Sequence, residues 1–121
     1  YMPYTRDTKL EEHLIKSVTE LYGEDEIKHR GHSTGSTDLG DFSCIMPTTS
    51  ISMAGTEGAG HSRHLKIVDP IKQYIVPTKA IAVAVIDLLY GDAEPAKEVI
   101  KGFTPTIKPE EYTEFMKKLV E

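Results

Sequence analysis

The stretch Gly35-Ser36-Thr37-Asp38-Leu39-Gly40-Asp41-Phe42-Ser43, continued by Met46-Pro47-Thr48 and then by Gly55-Thr56-Glu57-Gly58-Ala59-Gly60-His61-Ser62-Arg63-His64, decides how the rest of the chain is read. A loop of small residues carries two aspartates. Ser36 or Thr37 can cap a short helix with Leu39, Phe42, Ile45 and Met46 as its buried face, and Pro47 ends that helix. Ile51 and Met53 alternate with Ser50 and Ser52, which predicts a strand over 48–54. The glycines between 55 and 60 suit a tight turn or the close approach of a ligand, and they deliver His61.

Upstream, Asp7 is a good N-cap for a helix over 8–22. Leu10, Leu14, Val18 and Leu21 recur at helical spacing, and Gly23 is the stop. Glu24-Asp25-Glu26 reads as a solvated turn and Ile27 to Arg30 as a short strand. Downstream, Ile67-Val68-Asp69-Pro70 reads as a brief extended piece. Pro77 or Thr78 then opens a second helix, closed by Gly91. Its run from Ala80 to Ile86 is apolar on nearly every face, so the helix is expected to be buried on more than one side. Residues 94–101 and 109–120 read as two more polar helices that wrap the surface.

Helices dominate this order, and two strands cannot cover so apolar a helix. The fold class expected is α/β with an incomplete sheet, the central strands lying elsewhere, and a large apolar face is expected on the chain alone. Tyr1-Met2-Pro3-Tyr4 reads as the end of an extended strand, as in a piece of something longer. Hydrophobic residues make up 39% of the 121 and charged residues 27%, a globular balance. The net charge of -5, with scattered basic residues, argues against a nucleic-acid partner. The longest apolar run is far below the roughly 20 residues of a membrane span, so no membrane partner is expected. One cysteine, Cys44, precludes an internal disulfide and fits a reducing, cytoplasmic setting.

Among residues able to carry chemistry, His61 follows a glycine turn at the end of an expected strand, where α/β folds place functional groups. Neutral imidazole is a ligand for zinc. His64 is the alternative donor, but two histidines fall short of the about three protein ligands of a catalytic zinc. His29 and His32 offer no specific spacing. The hydroxyls and N–H groups of Ser36, Thr37 and Asp38 could hold a substrate carboxylate, and plain helix capping explains the same residue types as well. Cys44 reads as a small buried apolar residue, with no adjacent base to make it a nucleophile.

The Ser-Thr-Asp-x-Gly-Asp-x-Ser run, the Met-Pro-Thr after it, Gly60-His61-Ser62 and the long Ala-rich helix together resemble one family over roughly residues 1–90. It is that of the zinc-dependent amidohydrolases and metallopeptidases: aminoacylases, glutamate-releasing carboxypeptidases and aminobenzoyl-glutamate hydrolase. The resemblance implies that residues 1–90 are the C-terminal half of a zinc-peptidase-like catalytic domain, after an inserted lid that often dimerises. Residues 91–121 would be a helical extension with no site role. It implies His61 as the last metal ligand, less so His64, with Ser36, Thr37, Asp38 and Gly60 lining the substrate pocket. It also implies one or two divalent metals, zinc or else manganese. The substrate would be an N-acyl amino acid or a small peptide-like amide, and the full-length protein a homodimer. The family's other ligands and its general-base glutamate precede the lid. This chain therefore carries no catalytic residue of its own, needs the rest of the catalytic domain as a partner, and is expected to be inactive alone. The rival expectation is a non-catalytic α/β interaction or assembly module.

Overall fold

The computed structural model describes residues 1–28, 31 and 34–119. Five helices and one small antiparallel sheet make up the regular structure of these residues. They are α1 (Thr8–Tyr22), α2 (Leu39–Ile45), β1 (Thr56–Glu57), β2 (Lys66–Ile67), α3 (Val76–Leu89), α4 (Glu94–Gly102) and α5 (Pro109–Lys118). The chain is thus α-rich, and its sheet is a single hairpin.

Helix α1 forms as its sequence dictates. The Asp7 carboxylate accepts from the Leu10 N–H at 2.8 Å, and Gly23, at φ +91°, takes the left-handed backbone that ends the helix. Its inner face packs on α3, and Lys16 reaches Asp87 at 3.1 Å across the seam. Asp87 beside it holds the Lys16 ammonium above its ordinary pKa. Glu24–Glu26 is a single 3₁₀ turn. Ile27 and Lys28 are not in a strand, and the remainder of that expected strand lies outside the described residues, as do His29 and His32.

Helix α3 starts within a residue of the expectation, with Pro77 in its first turn, and a π-helical turn precedes it. Asp69 Oδ1 accepts from the Lys72 N–H at 2.9 Å, and Pro70 follows where its missing N–H costs nothing. Ile67–Pro70 is therefore half strand and half helix cap. Pro77 lies in the first turn of α3, directly after a wide π-helical turn over Ile71–Ile75 in which Val76 N–H donates to Ile71 O. Only Val76, Ala80 and Ala84 of α3 are buried. Ile81, Val85, Ile86 and Leu89 stay exposed, Ile86 at 60%. Burial on more than one side is thus corrected to burial of one small-residue stripe. The expected large apolar face is present, continued by Ile71, Tyr74 and Tyr90.

The expected buried face of α2 holds only in part: Leu39 and Ile45 are half-buried. Gly40, Ser43 and Cys44 are its buried residues, whereas Phe42 and Met46 are 46% and 45% exposed. The N-terminal segment causes this by lying against α2. Met2 N–H donates to Asp41 Oδ1 at 2.8 Å, and Thr5 N–H to Ser43 Oγ at 3.1 Å. The approach is so close that a Cβ on Gly40 would overlap the Met2 carbonyl oxygen. Small and polar residues win that face because a backbone, rather than a side-chain layer, packs there.

Residues 48–54 form no strand, since no neighbour lies beside them to complete a ladder among the described residues. Helix α4 meets the axis of α3 at 91° and buries Val99. The chain before α5 returns to α2, where the N–H groups of Thr106 and Ile107 both donate to Cys44 O. The buried apolar residues are Val18, Cys44, Val76, Ala80, Ala84 and Val99, so no described Leu, Ile, Phe or Met is fully enclosed. No single helix among the described residues is long and apolar enough to cross a membrane.

Candidate functional site

The hairpin β1–β2 pairs Thr56 with Ile67 and Glu57 with Lys66, and its loop carries both candidate histidines. Gly58 sits at φ +92°, and a Cβ there would strike the His64 carbonyl oxygen. His61 itself takes φ +58°, a left-handed conformation that few residues other than glycine adopt. Ser62 braces this bend: its Oγ donates to Ala59 O at 2.8 Å and accepts from the His64 N–H at 3.2 Å. Both histidines are exposed, as is Gly60. The His61 imidazole makes no hydrogen bond or ion pair with a described residue.

Ser36, Thr37 and Asp38 lie at the start of α2, on a different element from the hairpin. Thr37 Oγ1 donates to Asp38 Oδ1 at 3.1 Å and accepts a long 3.4 Å bond from the Leu39 N–H. Capping of α2 thus falls to Thr37, and Asp38 contributes no side-chain cap bond. Ser36 and Asp38 are exposed. No hydrogen bond joins this bend to the His61 loop among the described residues. The expected site residues thus lie on two separate elements.

Asp41 has structural work. Besides holding Met2 N–H, it faces the Tyr112 hydroxyl of α5. Burial, then the Asp41 charge and hydrogen bond, push the Tyr112 phenol above its ordinary pKa. Burial, and then Asp41, push the Cys44 thiol up as well, which keeps it protonated and unreactive.

Two clefts flank residues 49–54. The larger, about 390 Å³, is lined by α1 residues including Leu14 and Val18, by Arg6 and Lys72, and by Ser50 to Ala54. The smaller, about 200 Å³, lies between Leu10 and Leu14 of α1, Ile81, Val85 and Leu88 of α3, and Thr49 to Ile51. Neither is lined by His61, His64, Ser36, Thr37, Asp38 or Gly60. Sequence reasoning passed over both clefts, although the Ile51 and Met53 alternation marked the segment between them.

A zinc centre is what the sequence resemblance implies, and the donors fit it only in part. His61 is exposed, free of protein partners among the described residues and neighboured by His64. However, no group of three His, Cys, Asp or Glu side chains able to hold a metal occurs among the described residues. No family model, curated protein or solved structure matches this chain.

Proposed function

We propose that this chain is the C-terminal part of a metal-dependent amidohydrolase of the zinc-peptidase-like class, supplying one metal ligand, His61, and part of the substrate pocket. The observation that carries the reading is the His61 imidazole, held out on a braced hairpin loop in a left-handed backbone with no described residue bonded to it. Building such a bend costs on the order of 1–3 kcal/mol, and strain of this kind collects at ligand-holding positions.

Zinc, when bound with ligands from outside these residues, supplies an electrophile for an amide carbonyl and an acidified water. The chain's own residues have narrower tasks. Ser62 and Gly58 fix the direction of the His61 loop. Ser36 offers an exposed hydroxyl, and the Thr37–Asp38 pair a polar bend, to the carboxylate of an N-acyl amino acid or small peptide-like amide. His64 is the second-choice donor.

The test is hydrolysis of N-acyl amino acids by the longest translation product that carries these residues. His61→Ala is expected to lower kcat/KM by about 10²-fold or more. Unchanged kcat/KM in His61→Ala overturns the reading. An assembly module is the second reading. It is favoured by the exposed apolar face of α3 and by the lack of a three-donor group among the described residues.

A further inference from the structure

Helix α3 and the turn before it carry Ile71, Ile75, Thr78, Ala82, Val85 and Leu89 at steps of four, three, four, three and four. That rhythm is the seam of a helix that packs on another helix. All six residues are exposed, Ile71 by 65% and Leu89 by 59%. They lie on the side of the helix opposite its buried stripe of Val76, Ala80 and Ala84, so packing within the chain does not account for them. The one hydroxyl of the seam needs no outside partner, because Thr78 Oγ1 donates to Tyr74 O at 2.6 Å. None of the six is charged. Lys79 and Asp87 are the charged residues of α3, and Asp87 is tied to Lys16 on the α1 side.

The surface area leaves room for a dimer. A folded monomer of this mass is expected to expose about 6,500 Å². This chain exposes 9247 Å². The excess, about 2,700 Å², is well above the roughly 800 Å² that each subunit of a standard-sized interface buries.

We infer that this seam is a dimer interface in which α3 packs antiparallel against α3 of a second copy of the chain. The occupant is a helix because side chains at this spacing enter the grooves of a facing helix. It is another α3 because the seam reads the same from either end, and a two-fold contact requires a surface complementary to itself. With the two-fold axis at the level of Ala80, Leu89 meets Ile71 of the second copy, Val85 meets Ile75, and Ala82 meets Thr78. Large apolar side chains thus face one another at both ends, and two small ones let the helices approach closely in the middle. A net charge of -5 makes two copies repel, and an uncharged strip is where they approach at least cost. The inference does not rest on the hydrolase reading, because the seam lies within these 121 residues and association is measured without reference to activity.

The experiment is sedimentation equilibrium of the 121-residue chain. A mass twice the 13.5 kDa of one chain is expected, with a dissociation constant of about 10 μM or below. Ala82→Glu puts a charge in the middle of the seam, at a position exposed in the single chain. It is expected to weaken the dimer at least about tenfold with the helical circular dichroism unchanged. Ile100→Lys, at an exposed apolar residue of α4 outside the seam, is expected to keep the dimer. A thiol cross-linker of about 8 Å reads the direction, since the two copies of residue 75 lie about 15 Å apart along the helix axis. A mixture of Ile75→Cys and Val85→Cys chains is expected to join, and Ile75→Cys alone is not; wild type, whose Cys44 is buried, is the blank. Four results overturn the inference: a monomer at about 100 μM, a mass that keeps rising past the dimer, equal effects of Ala82→Glu and Ile100→Lys, or cross-linking of Ile75→Cys to itself.

Discussion

Gly40 and Gly58 each hold a place that no side chain can share. A Cβ on Gly40 meets the Met2 carbonyl, and one on Gly58 meets the His64 carbonyl from a backbone already at φ +92°. Gly40→Ala is expected to cost about 1–3 kcal/mol in urea unfolding, because the N-terminal segment must leave α2. Gly58→Ala should loosen the His61 loop at a smaller global cost, read as faster amide exchange in the hairpin. Cys44 and Tyr112 set an alkaline limit. Both acids hold their protons more tightly folded than unfolded, so the unfolded chain releases protons first as pH rises. Stability is therefore full below the ordinary thiol value of 9.0 and falls as pH climbs through the raised folded values. Thermal melts at pH 7 and pH 10 test the sign; a chain more stable at pH 10 would contradict it. The burial of Cys44 was legible from its neighbours. The packing of Met2 on Gly40 was not, because a backbone-to-backbone approach leaves no periodic trace in the sequence.

At the scale of elements, the bounds of α1 were legible to the residue, since cap and stop agree, although Leu21 of its expected stripe is exposed and Ser17 is buried instead. Asp7→Ala is expected to cost about 1 kcal/mol of stability. The start of α3 was legible from Pro77, whereas the π-helical turn over Ile71–Ile75 before it, capped by Asp69, was not. The hairpin was missed because each strand is two residues long, too short for alternation to show. Residues 48–54 alternate like a strand but form none among the described residues, and Phe42 and Met46 of α2 were turned outward where the N-terminal segment lies on the helix. The apolar outer face of α3 was anticipated in kind. Ile86→Lys is expected to change stability by less than about 0.5 kcal/mol while reducing dye binding and self-association of the chain. A large loss of stability on that change would mean that Ile86 is enclosed in solution.

For the whole molecule, the described residues combine a thin core of small side chains with broad apolar exposure. Of the candidate site, the sequence order puts Ser36, Thr37 and Asp38 at a helix start and His61 after a glycine turn, here a hairpin loop, and no group of three metal-holding side chains occurs among the described residues. The most direct measurement is zinc binding by the longest translation product that carries these residues, as wild type and as His61→Ala, beside the 121-residue chain. Tight binding by the wild type, at least about tenfold weaker binding by the variant and weak binding by the 121 residues are predicted. Equal zinc affinity in wild type and His61→Ala would contradict the account.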